Sequence, residues 1–278
     1  MSFITISQAL TSLTSLFQAA ALSKPSLQAE HIIAAVTGIP RLELHLNRNL
    51  VLTSEQLSEI KQKAERRAEH EPLQYILGET EFYGARILVT PDVLIPRPET
   101  EYLVDWVASE YSEEQTLLDL GTGSGCIAIA LGLIFPNMII EAADISAQAL
   151  ETARKNAEIN CVKINFHCSD LFEELRNKYQ IIISNPPYIS TQEYQELDRE
   201  IRDYEPQEAL LAGEGGLYYY RRILAEAKDY LLPGGRIYLE IGAQQGKAIK
   251  KIAENYGWQK IEIRSDLSGC DRYVRIGN

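Results

Sequence analysis

Short apolar segments alternate with helical stretches from residue 116 onward, and this alternation restricts the folds open to the chain. The predicted strands are residues 117–120, 138–143, 163–167, 180–184 and 236–241. The predicted helices are residues 126–133, 147–159 and 217–232. Apolar strands separated by helices indicate a parallel sheet that is covered on both faces. Two later strands, 260–264 and 271–276, are joined by a tight link and predict an antiparallel pair.

Residues 1–75 show helical periodicity and carry no constellation of catalytic side chains. A first apolar stripe consists of Ala9, Leu10, Leu13, Leu16, Phe17 and Ala20. Pro25 and Gly38 mark a second helix, because proline is tolerated in a first turn and glycine is a common C-terminal cap. Thr53 and Gln56 have the spacing of a capping box that opens a third helix, and Pro72 is expected to end it.

The sequence pattern changes at Glu79. Residues 82–90 alternate after Gly84 and predict a short hairpin with that glycine in its turn. The next segment, 93–101, contains two prolines, and we expect them to exclude a helix and stiffen the chain. A domain boundary is expected near this segment.

The charge balance argues against a partner held by its phosphate backbone. The chain has 39 acidic and 27 basic residues, a net charge of -12 and a pI of about 4.9. Proteins that grip nucleic acid usually carry a basic face, so we expect no stable nucleic-acid binding. No apolar stretch reaches the ~18 residues of a membrane helix. Residues 1–5 lack the basic start of a signal peptide, so a cytoplasmic location without membrane attachment is expected.

The four cysteines have no C-x-x-C spacing, which fits neither a zinc site nor a disulfide framework. They are Cys126, Cys161, Cys168 and Cys270. We expect them to be small buried apolar residues in a reducing compartment, and we predict no metal site.

A glycine-rich motif, residues 119–125 (DLGTGSG), directly follows a predicted strand and precedes a helix. Glycines there let a ligand approach the backbone, and the helix offers free N–H groups. The third glycine comes one residue too early for the G-x-G-x-x-G dinucleotide fingerprint. Asp144 ends the next strand, where a carboxylate accepts hydrogen bonds from ribose hydroxyls. Two plainer interpretations stay open: a purely structural turn, and an acid at a helix N-terminus near Ser146.

The tetrapeptide Asn185-Pro186-Pro187-Tyr188 ends the fourth strand of the predicted sheet, at the edge where open parallel sheets bind ligands. Two prolines fix the backbone and remove N–H donors, which leaves carbonyl acceptors. The Asn185 amide oxygen and a proline carbonyl can then hold both hydrogens of a planar –NH2 group, on which Tyr188 can pack. Two acceptors favour rehybridisation of the nitrogen and direct its lone pair toward a methyl donor. A rigid turn is the plainer alternative.

The glycine motif, together with Asp119 and Asp144, resembles the class I S-adenosylmethionine-dependent methyltransferases. The N-P-P-Y tetrapeptide is similar to that of methyltransferases acting on planar amine or amide nitrogens. Residues 82–84 (FYG) and 95–101 (IPRPETE) narrow the resemblance to the bacterial peptide chain release factor glutamine N5-methyltransferase family. This resemblance covers essentially the whole chain.

The resemblance implies a fold and a reaction. The fold would be α/β: a doubly wound, mostly parallel seven-stranded sheet with an antiparallel last strand, a small N-terminal helical domain and a β-hairpin linker. The domains would be a substrate-recognition domain (1–75), a linker (76–97) and a methyltransferase domain (98–278). The implied substrate is the glutamine of the Gly-Gly-Gln motif in class I release factors. The products would be N5-methylglutamine and S-adenosylhomocysteine, with a role in translation termination; we expect a monomer.

The resemblance also assigns roles to residues. Cofactor binding falls to Gly121, Thr122, Gly123, Ser124, Gly125, Asp144, Asp170, Leu171 and Asn185. Catalysis falls to Asn185, Pro186 and Tyr188, and substrate binding to Asn185, Pro186, Pro187 and Tyr188. Either Leu171 or Phe172 would contact adenine. The segment with Arg97, Glu99 and Thr100 would border the cleft or form a salt-bridged proline linker, and Glu240 would be a supporting group.

Other functions stay open at this point. Methylation of an exocyclic amine in DNA or RNA keeps the chemistry but is disfavoured by the acidic pI. A non-enzymatic partner-binding protein on a decayed methyltransferase fold is disfavoured by the intact motifs. An NAD(P) oxidoreductase is disfavoured by the glycine spacing and by N-P-P-Y. The N-terminal helices would either recognise the protein substrate or stabilise the catalytic domain.

Overall fold

The computed structural model describes residues 4–111 and 115–278, apart from the side chain of Glu214. The expected absence of a signal peptide concerns residues 1–5, of which the first three lie outside this part of the chain. Two compact units are present: Met1–Gly78 with Arg199–Tyr204, and Glu79–Asp198 with Glu205–Asn278. The functional division at residues 75 and 97 stays a prediction. No helix of the described chain is long and apolar enough to cross a membrane.

The helices and strands are numbered in chain order. The α-helices are α1 (Ile6–Ala19), α2 (Pro25–Thr37), α3 (Ser54–Ala68), α4 (Leu73–Leu77), α5 (Pro98–Glu110), α6 (Cys126–Ile134), α7 (Ala147–Ile159), α8 (Thr191–Glu196), α9 (Arg199–Arg202), α10 (Tyr218–Glu226) and α11 (Gly246–Asn255). The strands are β1 (Glu79–Phe82), β2 (Ala85–Leu88), β3 (Thr116–Leu120), β4 (Ile139–Asp144), β5 (Asn165–Cys168), β6 (Tyr179–Ser184), β7 (Leu231–Glu240), β8 (Lys260–Ser265) and β9 (Asp271–Gly277).

The first unit is helical, as its periodicity predicts. The capping box at Thr53 and Gln56 is confirmed at the start of α3. The predicted apolar stripe of α1 is wrong for Leu16, which is 41% exposed because it lies at the margin of that stripe. Pro72 does not end α3 directly; that helix ends four residues earlier, and His70 takes a left-handed φ of 72° in the connection.

A buried arginine explains why α9 folds with the first unit. Arg67 is 2% exposed, and its guanidinium donates to Gln28 Oε1, to the Glu71 carbonyl and to Glu200 Oε2. A buried charge is tolerated only with such partners. Glu200 lies on α9, and the Tyr204 hydroxyl adds a bond to the Glu69 carbonyl at 2.9 Å.

The second unit opens with the predicted hairpin. Strands β1 and β2 are antiparallel, and Tyr83 and Gly84 have φ angles of 50° and 74°, as a type I′ turn requires. The prediction that residues 93–101 contain no helix is wrong for 98–101, because α5 begins at Pro98. A proline at the first helical position lacks only an N–H that would have no intrahelical partner.

The central sheet has the strand order β5-β4-β3-β6-β7-β9-β8. Strands β3 to β7 pair in parallel, whereas β9 is antiparallel to both β7 and β8. The predicted fold class, with its antiparallel last strand, is confirmed. The chain leaves β3 in one direction toward β5 and returns on the other side as β6, so the strand order reverses between β3 and β6. Their register pairs Leu120 with Ser184, which brings the ends of these strands together.

Two local predictions in this unit need correction. The helix expected over 217–232 ends at Glu226, because the chain tightens into a 3-10 helix over Ala227–Tyr230 and enters β7 at Leu231. Of the four cysteines, Cys126 is buried, but Cys161, Cys168 and Cys270 are exposed. These three lie in a turn after α7, at the end of the edge strand β5, and in the turn before β9, where neighbours do not cover them.

Candidate active site

A cleft of the second unit lies at the carboxyl ends of β3, β4 and β6, where the strand order reverses. Its lining residues fall within 92–100, 120–127, 144–149, 169–171, 184–187 and 206–209, together with Tyr219. Most of the predicted site residues therefore surround one space. Gly125 and Tyr188 are the two that do not line it.

The glycine turn, residues 121–125, owes its shape to left-handed backbone. Gly121 and Gly123 have φ angles of 67° and 53°, although a Cβ on either would meet no heavy atom within 4 Å. Gly125 has a φ of 80°, and its Cβ would lie 3.2 Å from that of Ala153 on α7. The first two glycines thus shape the turn beside the cleft, and the third also permits close helix packing.

Asp144 joins the glycine turn to the start of α7. Its Oδ2 accepts a hydrogen bond from the Gly123 N–H at 2.8 Å, and its Oδ1 accepts one from Ser146 N–H at 2.9 Å. Burial raises the pKa of this carboxyl, and the backbone donors oppose that rise. Each oxygen keeps a lone pair for a ligand hydroxyl. Asp144 can therefore bind ribose hydroxyls and also serve as the acid at the N-terminus of α7.

The diproline corner, residues 185–188, is tied to the sheet on both sides. The Ser184 hydroxyl donates to the Leu120 carbonyl at 2.6 Å, and Gln245 Nε2 donates to the Tyr188 carbonyl at 2.9 Å. Pro186 is buried and lines the cleft, and no group in the described chain donates to its carbonyl. That oxygen is free to accept from a ligand.

A chain of side-chain hydrogen bonds supports the Asn185 carboxamide. Asn185 Nδ2 donates to Thr100 Oγ1 at 3.3 Å, and Thr100 Oγ1 donates to Glu240 Oε2 at 2.6 Å. The Tyr188 hydroxyl lies 3.4 Å from Glu240 Oε1, and its ring packs on the core. Burial raises the pKa of Tyr188 to about 12, so the phenol stays protonated. A direct role of Tyr188 toward substrate stays a prediction.

The segment before α5 forms another wall of the cleft. The Ile95 N–H donates to Glu205 Oε2 at 3.2 Å, and Arg97 Nη2 donates to Glu205 Oε1 at 2.5 Å. Glu99 is exposed, and its carbonyl accepts from the Tyr273 hydroxyl at 2.7 Å. This part of the chain is thus a salt-bridged proline segment that also borders the cleft.

The loop after β5 distinguishes Leu171 from Phe172. Leu171 lines the cleft with a φ of 51°, whereas Phe172 is fully buried and stacks on Tyr230 with ring centroids 4.6 Å apart. Asp170 also lines the cleft, and its carboxylate accepts from Arg222 Nη1 at 2.8 and 3.0 Å. Of Leu171 and Phe172, Leu171 is therefore the residue available for an apolar contact with a ligand in the cleft.

Comparison with known proteins identifies the family. Residues 8–78 match the model of the PrmC N-terminal domain, and residues 98–203 match the methyltransferase small domain. The release factor glutamine methyltransferase of Thermodesulfovibrio yellowstonii is 44% identical over 89% of this chain and 90% of its own length. The chain belongs to the release factor glutamine methyltransferase family.

Two further relatives extend the comparison. The release factor glutamine methyltransferase of Koribacter versatilis is 36% identical over 98% of both chains. Among solved structures, a methyltransferase from Pyrococcus furiosus superposes with a TM-score of 0.54 at 19% identity, covering 81% of this chain and 98% of that chain. The latter likeness concerns the fold alone.

The cleft of this family member fits S-adenosylmethionine. Asp144 offers acceptors for ribose hydroxyls, the glycine turn presents backbone without side chains, and Leu171 provides an apolar contact. Asp119 lies below the turn, fully buried, and Thr122 Oγ1 donates to its Oδ2 at 2.6 Å. Burial, with a smaller contribution from the Asp144 charge, raises the pKa of Asp119 to about 7.

Three residues that support the cleft were not predicted from the sequence. Glu205 and Gln245 carry no motif, yet they hold the proline segment and the Tyr188 carbonyl. Asn156 is fully buried and donates to the carbonyls of Leu88 and Ser124, which ties β2 to the glycine turn. A polar residue on the buried face of a predicted helix was the available signal for Asn156.

Proposed function

We propose that this protein transfers a methyl group from S-adenosylmethionine to the side-chain amide nitrogen of the glutamine in the Gly-Gly-Gln motif of class I peptide chain release factors. The product is N5-methylglutamine, and the role is in translation termination. One observation carries the proposal: Asn185 and Pro186 present two oxygens without donors from the described chain, beside the glycine turn. A primary carboxamide has two N–H groups to match them.

The residues of the corner act by positioning. Asn185 Oδ1 and the Pro186 carbonyl each accept one hydrogen of the glutamine –NH2, which fixes the plane of the amide. The acceptors polarise the N–H bonds and stabilise the positive charge that develops on nitrogen in the transition state. When bound, S-adenosylmethionine supplies a methyl group activated by its sulfonium. No strong base is required, because the alkylated amide is acidic enough to lose its proton to water.

The partner is a protein rather than a nucleic acid. We expect a cytoplasmic enzyme that acts as a monomer and binds nucleic acid only weakly, in line with its net charge of -12. The helical unit is proposed to recognise the release factor, and a purely stabilising role is its alternative.

Mass mapping tests the proposal directly. The protein is incubated with a purified class I release factor and isotopically labelled S-adenosylmethionine, and the modified residue is located by mass spectrometry. The expected result is one added methyl on the glutamine of Gly-Gly-Gln. Methylation elsewhere, or none with bound cofactor, contradicts the proposal.

A parallel reaction tests whether a nucleic acid is the methyl acceptor. The same labelled cofactor is offered duplex DNA and structured RNA in place of the release factor. We expect no incorporation into either. Robust incorporation, with an affinity that falls steeply as salt rises, would instead support an exocyclic amine as the acceptor.

A further inference from the structure

The Asn185 side chain has two ends of opposite character, and only one suits the proposed reaction. Its oxygen accepts hydrogen bonds, whereas its nitrogen only donates. A glutamine –NH2 group is itself a double donor, so a reversed Asn185 carboxamide would face it with a second donor. Some other part of the molecule must therefore determine which end faces the cleft.

The hydrogen bonds behind Asn185 run in one direction. Glu240 is 1% exposed, and burial raises its pKa to about 6, while the Thr100 hydroxyl and the Arg272 charge lower it. Each of its two oxygens lies opposite a hydroxyl, that of Thr100 at 2.6 Å and that of Tyr188 at 3.4 Å, so the carboxylate accepts at both. Thr100 has a single proton and gives it to Glu240 Oε2 at 2.6 Å. Its oxygen then accepts from Asn185 Nδ2 at 3.3 Å, and Asn185 Oδ1 is left for the cleft.

The two members of this relay are themselves held in place. Thr100 is 2% exposed in the first turn of α5, and its N–H donates to the Arg97 carbonyl at 3.0 Å. The Glu240 carbonyl at the end of β7 accepts from the Tyr220 hydroxyl at 2.8 Å. These bonds fix the main chain at both residues, and a different rotamer of either side chain would break the buried hydrogen bond between Thr100 Oγ1 and Glu240 Oε2.

We infer that Thr100 and Glu240 are positioning residues that fix the Asn185 carboxamide with its oxygen toward the acceptor amide. This inference rests on the proposed function, because it concerns how the glutamine amide is held. Glu240 does not line the cleft, and Thr100 lines it at the wall beside Asn185. They act through the orientation of Asn185.

Paired threonine variants test the relay. Thr100→Val keeps the shape but removes the hydroxyl, Thr100→Ser restores the hydroxyl, and Thr152→Val is the control at a buried threonine of α7. We expect Thr100→Val to lower kcat about ten-fold and to weaken release factor binding in calorimetry with S-adenosylhomocysteine, the scale of one lost hydrogen bond. Thr100→Ser should recover most of both values, and Thr152→Val should change neither.

Cofactor affinity distinguishes a specific relay from a general structural effect. S-adenosylhomocysteine affinity should stay within about two-fold in all three variants, because the relay acts on the acceptor amide and not on the cofactor. If Thr100→Val keeps wild-type kcat and release factor affinity, the relay is wrong. If it loses cofactor affinity as strongly as turnover, or if Thr100→Ser restores nothing, Thr100 has a general structural role and the relay is again wrong. Failure of the wild-type protein to methylate a release factor would instead refute the proposed function.

Discussion

The glycine turn and the diproline corner lie at the ends of neighbouring strands, but they are held in different ways. The turn takes its shape from backbone φ angles and from amides that donate to the Ala143 carbonyl and to Asp144. The corner takes its position from side chains of distant segments, among them Thr100, Glu240 and Gln245. The glycine turn is thus held by its own backbone and by the end of the adjacent strand β4, whereas the corner is held by side chains from distant parts of the chain.

Loss of the Asn185 carboxamide should affect turnover far more than cofactor binding. We expect Asn185→Ala to reduce kcat about 10²- to 10³-fold, the range for removal of one oriented polar group at a reacting centre. Affinity for S-adenosylhomocysteine, measured by calorimetry, should be largely retained. Asn165→Ala on the edge strand is the matched control and should be fully active. Unimpaired turnover in Asn185→Ala would remove the corner from the mechanism.

A change at Asp144, which holds the glycine turn through the Gly123 N–H, should affect cofactor binding and leave release factor binding intact. We expect Asp144→Asn to weaken S-adenosylhomocysteine binding about ten- to a hundred-fold, because hydrogen bonds to a charged group contribute about 1.5–3 kcal/mol. Release factor affinity should be unchanged, and exposed Asp229→Asn serves as the control. Equal weakening of both ligands would show that the two regions are not separable in this way.

Two adjacent glycines differ in how closely they pack against the diproline corner. Gly215 and Gly216 have φ angles of 72° and 66°, but a Cβ on Gly216 would lie 2.2 Å from the Tyr188 carbonyl oxygen, whereas one on Gly215 would meet no atom within 4 Å. We expect Gly216→Ala to displace the corner and lower kcat about ten-fold, an overpacking cost of 1–3 kcal/mol. Gly215→Ala should alter stability only. Equal kcat values for the two variants would contradict the tight support of the corner.

Protonation of Asp119 predicts a smaller effect on stability beneath the glycine turn. Its pKa is raised to about 7, so the folded protein binds a proton that the unfolded chain releases between about pH 4 and 7. This group therefore makes the free energy of unfolding fall as pH rises through that window. Asp119→Asn should flatten the slope by at most about 1.4 kcal/mol per pH unit, measured by urea unfolding at several pH values. An unchanged slope would show that Asp119 is ionised throughout.

The difference between the two regions also explains what the sequence could predict. The alternation of strands and helices, the glycine turn and the corner follow from local patterns: apolar strands, a DLGTGSG motif and two consecutive prolines. The start of α5 at Pro98 was missed because a proline breaks a helix interior but suits its first turn. Glu205 and Gln245 were missed because their partners lie far away along the chain, and a side chain's long-range partner leaves no local pattern. For Asn156 the only signal was its place on the buried face of a predicted helix, which does not name its partners.

A crystal structure of the complex would show directly how Asn185 and Pro186 hold the acceptor amide. The complex would contain this protein, S-adenosylhomocysteine and the Gly-Gly-Gln domain of a class I release factor. We expect the glutamine amide nitrogen about 2.7–3.2 Å from both Asn185 Oδ1 and the Pro186 carbonyl oxygen, on the side facing the sulfur. A glutamine bound away from these two oxygens, or an Asn185 oxygen turned toward Thr100, would contradict the account.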